Sequence, residues 1–597
     1  MMGNEKERRA TQATLSLKIE SSSPTSNMLS QGLPRLTVRQ LNRLLSAGAV
    51  TSEQVCSYCF SLAVAGENVW KLRAFSNLLE QEQVLDQARA SDARRRNGQA
   101  LSILDGIPVS VKANLAVAEH PLTAGSRILG QGSAISHKAP AVGYDADVVR
   151  SLLFDNGAVL MGITAMDEFG MGSLGTNVVP KHDDDNGEAT LSFTRNPRPY
   201  LHQLGQQRVS NDDDSISSAL ATPMDAILEA HANAFCEDNP IFSAGGSSCG
   251  SAASVAHGSS ILSLGSDTGG SVRLPSAWCG IVGVKPSYGV LSRHGLVSYA
   301  SSLDTVGILA PTVDCAALAL DRLVQSSTDR DSTWTGYSGA DIAASVDISS
   351  LQDGQRLKGV RVGIPAAFSV AECPSALRDA WARAAEHLER QGATIEIIST
   401  EQLSPDILQK SLAAYYVLVS AEASSNLGRY DGFRYGVAAD LDEVADEKEQ
   451  HGKAASLLER QYAATRAHGF GKEVVRRVLC GTSVLSSDRF HTYYEAAATL
   501  RAALTRQLHE SLEHVDLLLV PTAVFAPPEI GGESIDATEM LANDVMTVPI
   551  SLAGLPSVSV PAGGDADSPS FYHGLQLVGA RHGEAVMLKA ASVLDGL

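Results

Sequence analysis

The chain has 597 residues, 44% of them apolar, and carries 47 basic against 67 acidic side chains, a net charge of −20. That is enough apolar sequence for a large core and too much chain for one small domain. The acidic balance excludes a broad nucleic-acid-gripping surface of the chain's own, and no apolar run approaches the roughly 18 residues of a membrane span.

Residues 1–35 read as a disordered leader. They are rich in Ser and Thr with some Arg and Lys, but Glu5, Glu7 and Glu20 are of a kind that transit peptides avoid. From 36 to 100 the chain reads as helical. LTVRQLNRLLSAGAVTSEQVCSYCFSLA has apolar positions at helical spacing, and Ala-Gly-Ala divides it into two helices. Cys56 and Cys59 form a lone C-x-x-C without the further ligands of a zinc site. The eight scattered cysteines therefore read as reduced thiols, and no metal is expected.

From 103 the texture becomes α/β. GIPVSVKANL offers a short strand, and DADVVRSLLFDNGAVLMGIT a helix capped by Gly157 followed by a buried strand. Near 360, GVRVGIP, SALRDAWARAAEHLERQG and ATIEIIS read as strand, helix and strand, and VDLLLVP (515–521) as a buried strand. This alternation predicts an α/β fold: a large mixed, mainly parallel twisted sheet covered by helices on both faces. Residues 180–243 interrupt it with 11 acidic and 4 basic residues, in runs such as KHDDDNGEAT and SNDDDSISS. Such composition cannot bury enough apolar surface to order itself, so this stretch reads mostly as an inserted surface loop.

Three clusters can carry chemistry. Lys112 ends the strand of GIPVSVKANL. Burial among apolar neighbours lowers a lysine's pKa and makes it a base, although a strand-end lysine can equally snorkel to solvent. In AGGSSCGSAASVAHG (244–258), glycines and serines precede a small-residue helix, and Gly246-Ser247-Ser248-Cys249-Gly250 fits G-x-S-x-G. A nucleophile elbow would make Ser248 the attacker, but the residues before it make a poor strand. In GSDTGGSVRLPS (265–276), Ser271 follows two glycines and lies 24 residues after Ser247. Consecutive N–H groups from Asp267 to Ser271 could converge as an oxyanion hole, and bare backbone at Gly269 and Gly270 would let a substrate carbonyl approach. Alone, this stretch would read as a turn between strands.

Together, GIPVSVK, GGSSCGSAASV and GSDTGGSVRLPSAWCGIVGVKPSYG closely resemble the amidase signature family, from about residue 36 to 597 apart from the insertion. The resemblance implies that fold and a Lys–Ser–Ser triad at Lys112, Ser247 and Ser271. Ser271 would be the nucleophile, Ser247 the proton bridge, and Lys112, neutral, the base. It implies a cis Gly246–Ser247 peptide and an oxyanion hole over Asp267, Thr268, Gly269 and Gly270. MDEFGMGSLGT, SRHGLVSYASSLDTVG, EASSNLGRYDGFRYG, HGFGKEVVRRVLCGTSVLSS and ANDVMTVPISLAGLPSVSVP are similar to one branch, the A subunits of tRNA-dependent amidotransferases. The wording of SRHGL and the wide insertion look more like its mitochondrial members, which implies the mitochondrial matrix. That branch implies glutamine as substrate, with Arg477 for its carboxylate, Asp544 for its ammonium, and Tyr415 or Tyr416 nearby. It implies a heterotrimer completed by a B subunit together with a small third subunit. Glu-tRNA(Gln) would be engaged through the complex, and ATP and Mg used by the partner with no cofactor in this chain. Two departures stand out: Ala113 where an acid is usual, and Cys249 where glycine is usual. The alternative readings are a stand-alone amidase of the same fold and a scaffold subunit without catalysis. Arg477 and Asp544 weigh against the first, and the intact triad against the second.

Overall fold

The computed structural model describes residues 36–130, 141–178, 193–204, 213–235, 240–326, 328–339, 342–347, 351–434, 436–439, 456–530, 543–564 and 571–595. The leader and the run KHDDDNGEAT lie outside these residues.

The N-terminal segment forms helices Val38–Ala47, Ser52–Asn68 and Gln81–Arg96. Thr37 and Thr51 cap the first two, and Gly48 closes the first in the left-handed conformation. Thr51 and Gln54 form a reciprocal capping box at the second helix. The expected helical region also contains a strand, β1 (Phe75–Leu78).

Among the described residues ten further strands follow: β2 (Pro108–Lys112), β3 (Val159–Thr164), β4 (Leu262–Asp267), β5 (Val282–Lys285), β6 (Thr305–Ala310), β7 (Arg361–Pro365), β8 (Thr394–Ile398), β9 (Leu517–Pro521), β10 (Ser557–Gly564) and β11 (Tyr572–Gly579). They make one eleven-stranded sheet in the order β1-β3-β2-β4-β6-β5-β10-β11-β9-β7-β8. The mixed α/β sheet is as expected, but parallel pairs are the minority. Only β3–β2, β2–β4, β9–β7 and β7–β8 are parallel. Around them β10 and β11 pair as antiparallel neighbours, as do β4, β6 and β5. Hydrophobic runs show that a strand is buried on both faces, not which way its neighbour runs. β2, β3, β4, β5, β6 and β9 are buried throughout.

Among the described residues, the inserted stretch is not a surface loop. Its described residues form helices Arg198–Leu204, Asp213–Leu220 and Met224–Ala234. Ile216, Ile227 and His231 are fully buried and Tyr200 nearly so. Tyr200 stacks on Trp70 at 5.2 Å, and the Trp70 indole N–H donates to the carbonyl of His231 at 2.9 Å. The average composition of the insertion hid a few well-spaced apolar residues that a neighbouring helix completes. Ile227→Ala is therefore expected to destabilise the chain by about 2–5 kcal/mol, read by denaturant unfolding. A change within about 0.5 kcal/mol would instead mark an unpacked surface segment.

Candidate active site

β2 and β4 run parallel in adjacent register, with Val109 opposite Leu262 and Val111 opposite Leu264. Lys112 and the loop leaving β4 at Asp267 therefore emerge at the same end of the sheet. The Lys112 ammonium is fully buried and reaches Ser247 Oγ at 2.9 Å, Ser248 Oγ at 2.8 Å, Ser266 Oγ at 3.0 Å and the Ser266 carbonyl at 3.3 Å. Burial pulls its pKa down to about 8, against the carboxylates of Asp167, Asp267 and Asp304, which favour the proton.

Ser247 follows a cis Gly246–Ser247 peptide. Asp167 packs on this turn. Its N–H donates to the Ser247 carbonyl at 3.3 Å, and its carboxylate accepts from the N–H groups of Gly175 and Asn177. A Cβ on Gly246 would lie 2.0 Å from Asp167 Oδ2, so no side chain fits there. Burial raises the Asp167 pKa to about 6.

Among the described residues, no strand leads into Ser248. Its hydroxyl is fully buried and donates to the Ser266 carbonyl at 3.2 Å, while its N–H donates to the Ser271 carbonyl at 3.1 Å. Ser271 keeps 9% exposure. Among the described residues, the N–H groups of Thr268, Gly269, Gly270 and Ser271 make no hydrogen bond to the protein. These donors stand available beside Ser271, as an oxyanion hole requires.

Asp267 serves this loop as an anchor. Its buried carboxylate binds Arg273 through two bonds of 2.9 and 3.0 Å and accepts the Val272 N–H at 3.1 Å. Burial alone would raise its pKa, but the Arg273 guanidinium outweighs this and holds it below the usual value. Thr268 Oγ1 donates to Asp304 at 2.8 Å, and Asp304 also accepts the N–H groups of Tyr299 and Ala300.

The glycines answer to protein before they answer to substrate. A Cβ on Gly269 would lie 2.4 Å from the Tyr415 hydroxyl, and one on Gly270 2.3 Å from Thr547 Oγ1. The fold brings the expected substrate residues to the same place. Tyr416 donates to Asp544 Oδ2 at 2.7 Å, and its ring lies 5.2 Å under the Arg477 guanidinium. Ser173 donates to both Asp544 oxygens. Arg477 is held by Glu473 at 2.7 Å and by the Tyr299 hydroxyl, while its Nη2 makes no hydrogen bond among the described residues. Burial raises the pKa of Asp544.

Sequence reading missed the supports: Asn114 and Ser266 beside the lysine, Asp167 and Asp304 behind the loops, and Tyr299, Ser173 and Glu473 beside the charged pair. Asn114 was the most accessible of these. It stands two residues after Lys112, and its amide donates to Ser266 Oγ at 2.9 Å. The two departures are both accommodated. Ala113 is buried and bonded through its backbone to Thr164 and Ala124. Cys249 is a buried thiol whose pKa burial pushes up to about 12, packed against Gly175.

The amidase family model matches residues 68–199 and 233–588, leaving out 200–232, where the inserted helices stand. The chain is 38% identical over 492 residues to the A subunit of glutamyl-tRNA(Gln) amidotransferase from Natronomonas pharaonis, covering 82% of this chain and 96% of that one. It is 33% identical to the corresponding protein of the same name from Salinibacter ruber, over 94% of this chain and 99% of the other. The crystal structure of the Thermotoga maritima glutamyl-tRNA(Gln) amidotransferase chain of that type superposes with a TM-score of 0.55 at 28% identity, covering 82% of each chain. A crystal structure of an amidase, 24% identical, shares the fold with a TM-score of 0.64 and covers 94% of this chain and 99% of its own. With most of its length inside one family model and its buried lysine and serines gathered at one sheet end, the chain belongs to the amidase family.

Proposed function

We propose that the chain is the glutaminase subunit of a tRNA-dependent amidotransferase. The observation that carries this reading is the pair of opposite charges, Arg477 and Asp544, joined through Tyr416, whose neighbour Tyr415 packs on Gly269 beside Ser271. Glutamine differs from a simple amide by an α-carboxylate and an α-ammonium, and a site selective for it needs a partner for each. The relatives named as amidotransferase A subunits support the same reading.

In this mechanism Ser271 Oγ attacks the side-chain amide carbon. Its proton passes to Ser247 Oγ, and the Ser247 proton passes to neutral Lys112. The N–H groups after Asp267 hold the developing oxyanion. Collapse of the intermediate breaks the C–N bond, and the proton returns through Ser247 to the leaving ammonia. Water then attacks the glutamyl ester by the same route and releases glutamate. The ammonia is passed to a B subunit that uses ATP and Mg to activate Glu-tRNA(Gln). A small third subunit completes a heterotrimer in the mitochondrial matrix. The net charge of −20 agrees with leaving tRNA to a partner.

The direct test is ammonia release from glutamine by the full chain with and without partner subunits. Arg477→Ala and Asp544→Ala are each expected to raise KM for glutamine about 10- to 150-fold, the worth of one charge-assisted contact. Both are expected to spare hydrolysis of a small neutral amide. Normal glutamine use by both variants would favour a stand-alone amidase.

A further inference from the structure

The helix Lys472–Val484, which carries Arg477, opens without a cap of its own. Its N-cap is Gly471, which makes no side-chain cap bond. Its third residue is Val474, where a Glu or Gln could have reached back to the N-cap N–H. The acid of its first turn, Glu473, is held by Arg476 and Arg477. The first-turn N–H groups of a helix need acceptors, and negative charge is favoured there.

The acceptor comes from 303 residues away. Glu168 Oε2 accepts the Gly471 N–H at 2.7 Å, and Oε1 accepts the Ser126 hydroxyl at 2.5 Å. Glu168 is 3% exposed, and a Cβ on Gly471 would lie 2.4 Å from its Oε2, so a side chain there would displace the carboxylate from this contact. The surroundings repeat the link: Phe169 meets Phe470 edge-on at 5.9 Å, and Ile128 packs where a Gly469 side chain would stand. Glu168 directly follows Asp167, which packs on the Gly246–Ser247 turn. One loop thus touches the bridging serine with one residue and the start of the Arg477 helix with the next.

We propose that Glu168 is a positioning residue for the carboxylate-binding arginine: it supplies the missing cap of the Lys472–Val484 helix and so sets Arg477 at a fixed distance from Ser247 and Ser271. This rests on the glutaminase reading above for what Arg477 binds. Glu168 touches no reacting atom, and its effect is on where glutamine sits.

The test compares Glu168→Ala and Glu168→Gln in the full chain, purified with its partner subunits. In Glu168→Ala, KM for glutamine is expected to rise about tenfold or more, with kcat changed by less than about threefold. Glu168→Gln keeps a carbonyl for the Gly471 N–H and an amide to donate to Ser126, so its KM is expected to return close to wild type. Hydrogen exchange gives a readout independent of glutamine: amides 471–475 are expected to exchange faster in Glu168→Ala and at the wild-type rate in Glu168→Gln. Wild-type KM and wild-type exchange in Glu168→Ala would overturn the proposal, as would a fall in kcat at unchanged KM or a Gln variant no better than Ala. If Glu168→Ala does not fold, Ser126→Ala decides, with a several-fold rise in KM expected and no rise counting against the proposal. A wild-type chain that releases no ammonia from glutamine would defeat the glutaminase reading, and the exchange rates would still decide whether Glu168 caps the helix.

Discussion

Ser271→Ala is expected to abolish acyl-enzyme formation and to lower glutamine turnover by about 10⁴-fold or more, the scale seen when a triad nucleophile is removed. The expectation rests on access and on donors. Ser271 keeps 9% exposure where Ser248 has none, and among the described residues the N–H groups from Thr268 to Ser271 are unused by the protein. Ser248, the competing candidate, is fully buried and already bonded to Lys112 and to the Ser266 carbonyl. Ser248→Ala removes one contact of the lysine. It is expected to slow the reaction by no more than about 150-fold and to leave the acyl-enzyme trappable. Mass spectrometry of the chain quenched during turnover distinguishes the two. A glutamyl adduct that survives in Ser271→Ala and is lost in Ser248→Ala would reverse the assignment.

Lys112→Arg is expected to cost at least about 10³-fold in kcat/KM, because a guanidinium does not give up its proton near neutral pH. The wild-type pH profile follows from the same group. Burial holds Lys112 at about 8, so the lysine is protonated and inactive as a base below that value and neutral above it. kcat/KM should therefore rise about tenfold per pH unit below about 8 and level off above it. At pH 7 roughly a tenth of the lysine is in the working form. In Lys112→Arg this rising limb should be absent from whatever activity remains. Near-normal turnover in that variant, or a wild-type profile flat from pH 6 to 9, would rule out the serine–lysine mechanism.

Much of the site could be read from residue order alone. Lys112 lay at the end of an apolar strand, Ser247 before a small-residue helix, and Ser271 after two glycines. These are local patterns, because strand ends, helix starts and glycine pairs are set by neighbours in the chain. Their resemblance to one family's motifs pointed to a shared triad. Strands such as Arg361–Pro365 and Thr394–Ile398 and the helix between them were legible for the same reason.

What the sequence could not decide were relations between distant segments. The parallel pairing of β2 with β4 puts Lys112 beside Ser266, 154 residues on. Apolar strands carry no mark of their neighbour's direction, so the balance of parallel and antiparallel pairs was misjudged. The inserted helices were read as loop because their acidic average outweighed a few apolar residues, and only the packing of Tyr200 and His231 on Trp70 makes those residues a core. The sequence asks for bare backbone at Gly269 and Gly270 so that a substrate carbonyl can approach, and the fold adds a reason of its own. The partners that require it, Tyr415 and Thr547, come from elements more than 140 residues away. Local chemistry thus pointed to the candidate residues. Close packing across the sheet end decided what holds them in place, because a buried lysine, carboxylate or arginine keeps its charge and position only through partners that the chain supplies from elsewhere.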